Sequence, residues 1–275
     1  MVARVRRIAG TRSVGHTGTL DPMATGVLVL CLGKATRLIP YIEEAGGTDA
    51  KEYEAGIRFG FETTTDDAEG ERHGEVTPVD LVTRDAVAAA LASTVGEIEQ
   101  IPPAYSAKKV KGERAYALAR RGEDVDLKPV RVSVHAADLL GLEDGVATVR
   151  FACSRGTYIR ALARDLGRAL GVGAHLVALR RTRSGSAGLD RAVSLDPLDA
   201  VSLARNLLPM ASILDTWPRV AVNEEGAASL RLGRAINVGG NRADRAGRVR
   251  VCDGADHLVA LARAEGSRLQ PFCVF

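Results

Sequence analysis

The stretch Gly15 to Arg37 reads GHTGTLDPMATGVLVLCLGKATR, and the fold turns on it. It places one carboxylate, Asp21, in a nest of Gly, Thr and Pro. The apolar run Val27-Leu28-Val29-Leu30-Cys31-Leu32 follows at once. Flexible backbone before the acid and the fixed φ of Pro22 after it can hold a carboxylate beside buried structure. Asp-Pro also commonly starts a plain turn, and spacing alone leaves that reading open. Residues 26–33, bounded by glycines, read as a short buried strand.

Working outward, Val2, Val5 and Ile8 recur at helical spacing, and Gly10 is a fitting stop. Tyr53 to Phe61 alternates as a strand, and the polar run 62–80 reads as a solvated loop. Residues 84–93 are Ala-rich and helical behind Thr83 as N-cap. Val130 to Leu140 and Val146 to Cys153 read as strands around the turn 143–145. Thr157 to Leu170 reads as a helix with the apolar stripe Ile159, Leu162, Ala163, Leu166 and Leu170. Arg160, Arg164 and Arg168 fall on a second stripe of that helix, four residues apart. Pro197, Pro209 and Pro218 punctuate a linker-like region. Asn223 can then cap a short helix that Gly233 closes, and the strands AINV, RVRVC, HLVALARAE and PFCVF follow. The whole is α+β with a mixed sheet, flanking helices and a small β-rich module at the end.

Composition narrows the function. At 275 residues the chain can hold one large domain, or a large and a small one. No apolar run approaches the ~18 residues of a membrane helix, and MVARVRR lacks the core of a signal peptide. The four cysteines at 31, 153, 252 and 273 have no CxxC spacing, and read as buried thiols of a reducing cytoplasm. Charge is segregated: residues 43–99 hold 15 acids and 4 bases, residues 155–183 seven arginines and one acid, and residues 105–131 eight bases and four acids. Such segregation suits a face for a polyanion, although an ordinary charged surface remains the alternative.

Familiar motifs fail. Lys34 is followed by Ala35, so no phosphate loop forms. The five histidines are scattered without metal-ligand spacing. No GxGxxG follows a strand, and no GxSxG elbow occurs. Two constellations remain beside Asp21. In CSRGTYIR a strand ends, Gly156 turns and a helix begins, so Tyr158 and Arg160 project from its first turn. In KEYEA, Tyr53 starts a strand in a chain only 4% aromatic. A stacking platform, a packing aromatic and a surface arginine all remain open readings of these residues.

Together the motifs GHTGTLDPMATGVLVLCLGKATR, KEYEAGIRFG, IPPAYSAKKVKGERAYALARRG, CSRGTYIRALARDLG and GAHLVALRRTRSG resemble the bacterial tRNA pseudouridine synthase B family, in the family's order, over about residues 1–190. The resemblance implies an isomerase that turns a flipped T-loop uridine of tRNA into pseudouridine, without cofactor or metal. It implies Asp21 as the attacking carboxylate, Tyr158 below the base as the proton-abstracting candidate, and Arg160 as the partner of the acid. It implies His16 holding the extruded stem-loop, Tyr53 stacking on the uracil and Leu179 lining the pocket. The basic segment 105–131, with Lys108 and Lys109, resembles a thumb-like insertion that grips phosphates, and the arginines after 155 would extend that cationic face. The implied division is a catalytic domain over 1–196, a linker over 197–217 and a PUA-like RNA-binding module over 218–275. A cytoplasmic monomer is expected, with no membrane contact and no obligate protein partner. Family members usually begin with a strand and a Lys-Pro-x-Gly-x-Ser/Thr-Ser segment, whereas Met1 here falls within the helix that follows. A misassigned start or trimmed chain is the expectation. Two other functions compete: an inert tRNA-binding module, and a nucleosidase, which would need a second acid as proton donor that no comparable motif supplies.

Overall fold

The computed structural model describes the whole chain except residues 46–50, 81, 107, 111–112, 122, 124–126 and 239–246, together with the side chains of 43–45, 109–110, 114, 117 and 119–120. The described chain is α+β and divides into two compact units. One comprises Leu20–Val27 and Thr48–Ser184, the other Met1–Thr19, Leu28–Gly47 and Gly185–Phe275.

The first of these is built on one sheet, in the order Ala174–Ser184, Lys51–Phe59, Val146–Cys153, Val130–Glu143 and Gly96–Gln100. From Ala174–Ser184 to Gly96–Gln100 every pairing is antiparallel. Period-two burial explains the central strand: Tyr53, Ala55, Ile57 and Phe59 point inward, and the residues between them are more exposed. The hairpin at 143–146 closes tightly because Asp144 and Gly145 both take positive φ, as that turn demands. Helix Arg84–Ser93 starts at Thr83, whose hydroxyl accepts the Ala86 N–H at 3.2 Å. Helix Ile159–Ala169 buries Ile159, Leu162, Ala163 and Leu166 in the core that Tyr53, Phe151 and Leu179 share. Segment 105–131 holds the short strands Lys109–Val110 and Glu113–Arg114 and the helix Ala115–Arg120.

In the other unit, helix Val2–Ile8 precedes the strand pair Val14–His16 and Leu30–Leu32. A mixed five-stranded sheet runs Arg219–Ala221, Gly247–Cys252, Leu258–Glu265, Arg268–Val274 and Ile236–Asn237. One of its hydrophobic clusters packs helix Glu224–Arg231, capped by Asn223, on the sheet through Ala227 and Leu230. A second unites Leu38 with Leu214, Trp217, Leu261 and Cys273. Residues 197–217 carry helix Ala200–Arg205 and a 3-10 turn over Met210–Leu214. All four cysteines are buried free thiols, and burial pushes those of Cys31 and Cys153 up to about 11. Among the described residues no helix is long and apolar enough to cross a membrane.

Three expectations are corrected. The single strand over 26–33 is instead two short ones, Thr25–Gly26 and Leu30–Leu32, in different sheets. Gly26 takes φ 94°, outside strand geometry, and the run leaves one compact unit for the other after Val27. The polar loop 62–80 is not wholly solvated: Thr63, Asp66 and Asp67 are buried, because arginines await the two acids. The arginines after 155 do not form a continuous cationic face for the same reason. Arg160 and Arg164 are buried against carboxylates, Arg181 is fully buried, and Arg168 and Arg183 pair with Glu62 and Glu52.

Candidate active site

The loop carrying Asp21 is held at both ends of its turn. Ala24 N–H donates to the Asp21 carbonyl at 2.9 Å. Thr25 and Gly26 then pair in parallel with Arg180 and Arg181, and Val27 N–H donates to the Arg181 carbonyl at 2.8 Å. Arg181 returns the contact, its Nε donating to the Val27 carbonyl at 2.7 Å. The pairing requires glycine at 26: a Cβ there would lie 2.1 Å from the Arg181 carbonyl oxygen. Leu20 and Met23, half-buried, press the loop onto the sheet core.

Arg160 meets Asp21 from the first turn of helix Ile159–Ala169. Its Nε donates to Asp21 Oδ2 at 3.0 Å and its Nη2 to Oδ1 at 3.1 Å, a two-pronged fork between residues 139 positions apart. The arginine side chain is 5% exposed and the aspartate 31%, so one carboxylate edge is gripped and the group still reaches solvent. The rest of the guanidinium is also occupied. Nη1 donates to the Thr65 carbonyl at 2.9 Å and sits 3.3 Å from Asp67 Oδ2, while Nη2 donates to the Tyr105 carbonyl at 2.9 Å. Asp67 is itself filled as an acceptor, by Thr65 Oγ1 at 2.5 Å and Glu69 N–H at 3.1 Å. A second carboxylate therefore stands beside Arg160, one that the sequence reading did not single out. Its contacts make it an anchor for Arg160.

Tyr158 is the N-cap of the same helix, two residues before Arg160. Gln100, fully buried, fixes its backbone from both sides: Tyr158 N–H donates to Gln100 Oε1 at 2.8 Å, and Gln100 Nε2 donates to the Tyr158 carbonyl at 3.1 Å. The phenol makes no capping bond and is half-buried. Tyr53 lies opposite Arg181 on the neighbouring strand. Burial raises its hydroxyl above the usual tyrosine range, a hydrogen bond from Arg181 opposes that shift, and the Asp21 charge adds to it. Leu179, buried, pairs with Ala55 on the same face, and its carbonyl accepts from Thr25 Oγ1 at 3.5 Å. Asp21, Arg160, Tyr53, Tyr158 and Leu179 thus belong to one unit around one core.

Three further residues were chosen from the sequence. His16 belongs to the other unit, opposite Leu30, with its Nδ1 buried and without a partner. Lys108 Nζ donates to the Lys128 carbonyl at 3.2 Å, tying the 105–131 segment to itself. The Lys109 side chain lies outside the described residues. Sequence reading missed Asp67 and Arg181. Asp67 was hidden among the polar residues TTTDDAEG. Arg181 was hidden among the charges of the run Arg180-Arg181-Thr182-Arg183.

Comparison with known proteins agrees with this architecture. Solved structures similar in fold include a Cbf5-Nop10-Gar1 complex, 26% identical with a TM-score of 0.69 over 100% of this chain and 79% of that one. Residues 6–159 match the N-terminal domain of TruB family pseudouridylate synthases, and residues 160–215 the C-terminal domain of tRNA pseudouridylate synthase B. Residues 217–275 match the C-terminal region of tRNA pseudouridine synthase II. The class is therefore that of the pseudouridylate synthases. Proteins called tRNA pseudouridine synthase B are 45% identical in Thermobifida fusca (strain YX), over 100% of this chain and 93% of the relative, and 46% in Arthrobacter sp. (strain FB24), over 100% and 91%. Within that class the chain belongs to the TruB family.

Proposed function

We propose that this protein is a tRNA pseudouridine synthase that isomerises uridine 55 in the T-loop, with Asp21 as nucleophile. The observation that carries the reading is the fork of a buried arginine on a partly exposed acid. The fork fixes the carboxylate's orientation, as a nucleophile requires. Asp21 attacks the target nucleotide, the N1–C1′ bond breaks, and the uracil turns and rejoins through C5. The C5 hydrogen leaves as a proton, for which Tyr158 is the acceptor, and N1 gains one. The bond to Asp21 forms in the attack and breaks again as the uracil rejoins, so the net change lies within the nucleotide and the balance needs no cofactor.

Extrusion of the base costs a few kcal/mol. Stacking on Tyr53 returns about 1–3 kcal/mol, and Leu179 closes the apolar side. We assign phosphate contacts to Lys108 and Lys109 on the thumb-like segment 105–131, a hold on the stem-loop to His16, and further RNA contact to the module over 218–275. The T-arm is the recognised element, and the enzyme works as a cytoplasmic monomer. The test is tRNA labelled with tritium at uridine C5. Wild-type protein should release the label, and Asp21→Asn should release none while binding tRNA with nearly unchanged affinity. Normal turnover by Asp21→Asn would remove the acid from its assigned role.

A further inference from the structure

Helix Ile159–Ala169 presents three arginines at four-residue spacing, and each meets its own acid on the segment Glu62 to Asp67. Arg160 Nη1 lies 3.3 Å from Asp67 Oδ2, and Arg164 Nη1 donates to Asp66 Oδ2 at 2.9 Å. Arg168 forks on Glu62 at 2.7 and 2.8 Å. The outer rung is open to water, with the Arg168 side chain 57% exposed. The middle one is buried, with the Arg164 and Asp66 side chains at 9% and 12%.

Only the first rung touches Asp21, so the buried middle pair calls for an explanation. Stability is a poor one, because a buried ion pair is often no better than apolar residues of the same volume. Geometry gives a better account. Arg164 Nη2 donates to the Ile101 carbonyl at 2.9 Å, while its Nη1 holds Asp66 and its Nε holds Asp165. One side chain thereby ties the 62–67 segment to the chain at Ile101. Arg160 makes the same bridge one turn earlier, from Thr65 and Asp67 to the Tyr105 carbonyl. The acceptors that orient Arg160 thus sit on the two segments that Arg164 joins. Asp66 is also held in a left-handed backbone, φ 60°, by bonds from its N–H to Thr63 and to its carbonyl from Leu176. That conformation turns successive acids toward successive arginines.

We infer that Arg164 is a positioning residue for the reaction at Asp21, acting with Asp66 and the Ile101 carbonyl to fix the frame in which Arg160 grips the acid. The inference rests on the reading of Asp21 and Arg160 as the reactive pair. A displacement of about 1 Å at such a pair can cost on the order of 100-fold in rate.

The experiment measures single-turnover rate constants at saturating tRNA, tRNA affinity and thermal midpoint for Arg164→Met and Asp66→Asn. Asp66→Asn leaves Arg164 its bonds to Ile101 and Asp165, and it carries the test if Arg164→Met does not fold. Expected is a fall of about 10- to 100-fold in the rate constant per folded molecule, with affinity within about 2-fold. Arg164→Lys, which keeps charge without the fork, should recover part of the rate. In an Arg160→Lys background the effect of Arg164→Met should largely vanish, because the two act through one guanidinium. A wild-type rate constant per folded molecule, whatever the thermal midpoint, would overturn the inference, and so would full additivity with Arg160→Lys. Asp21→Asn in the same assay separates the two levels. If that variant turns over normally, the underlying reading fails. If it is dead and Arg164→Met runs at the wild-type rate, only this inference fails.

Discussion

Gly26 shows how a single position can constrain a reactive group five residues away. Its φ of 94° is strained for any side chain, and a Cβ would lie 2.1 Å from a backbone oxygen that has no freedom to move. Gly26→Ala should therefore destabilise by at least the ~1–3 kcal/mol of backbone strain, and it should cut activity beyond that loss by shifting the Asp21 loop. Thermal melts beside tritium release check both, and a variant with wild-type values would mean the parallel pairing with Arg181 is dispensable. Asp21 itself was legible in sequence as an acid on a flexible-then-rigid loop. Its conversion from turn residue to candidate nucleophile needed the arginine 139 positions on. Asp67 and Arg181 were illegible for the complementary reason. Nothing in their own neighbourhoods marks them, and each acquires meaning only from what the sheet and helix bring alongside.

At the scale of elements, helix Ile159–Ala169 was readable because its apolar stripe and its arginine spacing share one period. Arg164 was misjudged because charge on a helix is ordinarily solvated, and here a buried acid from a polar loop overrides that rule. The outer rung of the pairing has a pH signature. The hydrogen bond from Arg168 holds the Glu62 carboxyl below the usual range. A lowered pKa in the folded state gives stability that is present above the ordinary glutamate range and is lost as pH falls through the lowered value. Glu62→Gln should flatten that acid limb, seen in thermal midpoints taken from about pH 6 down to about pH 3. An unchanged limb would show that the exposed rung contributes nothing. Asp66 acts in the opposite sense. Burial holds its carboxyl above the usual range despite Arg164, so its unfavourable share grows as pH rises through that raised value. The 105–131 segment yields a salt prediction. Lys108→Ala with Lys109→Ala should weaken tRNA binding and reduce the slope of affinity against salt by about one per lost phosphate contact. An affinity unchanged across salt would take this segment off the RNA surface.

At the scale of the whole molecule, sequence order and spatial order part company. Residues 1–19 and 28–47 cluster with 185–275, while the intervening Leu20–Val27 belongs with 48–184. No local pattern announces this, since each segment has the periodicity of an ordinary helix or strand. Leu38 is 1% exposed in a cluster with Leu214, Trp217, Leu261 and Cys273, and Tyr41 lies edge-on to Trp217 with ring centroids 6.3 Å apart. Deleting residues 216–275 should strip Leu38 of its cover, at about 1.5–3 kcal/mol for that side chain alone. The shortened protein should melt earlier and expose apolar surface to a fluorescent probe. A truncation with the full-length thermal midpoint would show that Leu38 needs no such cover. The tail is accordingly a poor candidate for modular exchange. A graft from another protein would have to bring its own counterparts to Leu38 and Tyr41, so the two ends of this chain must change together or not at all.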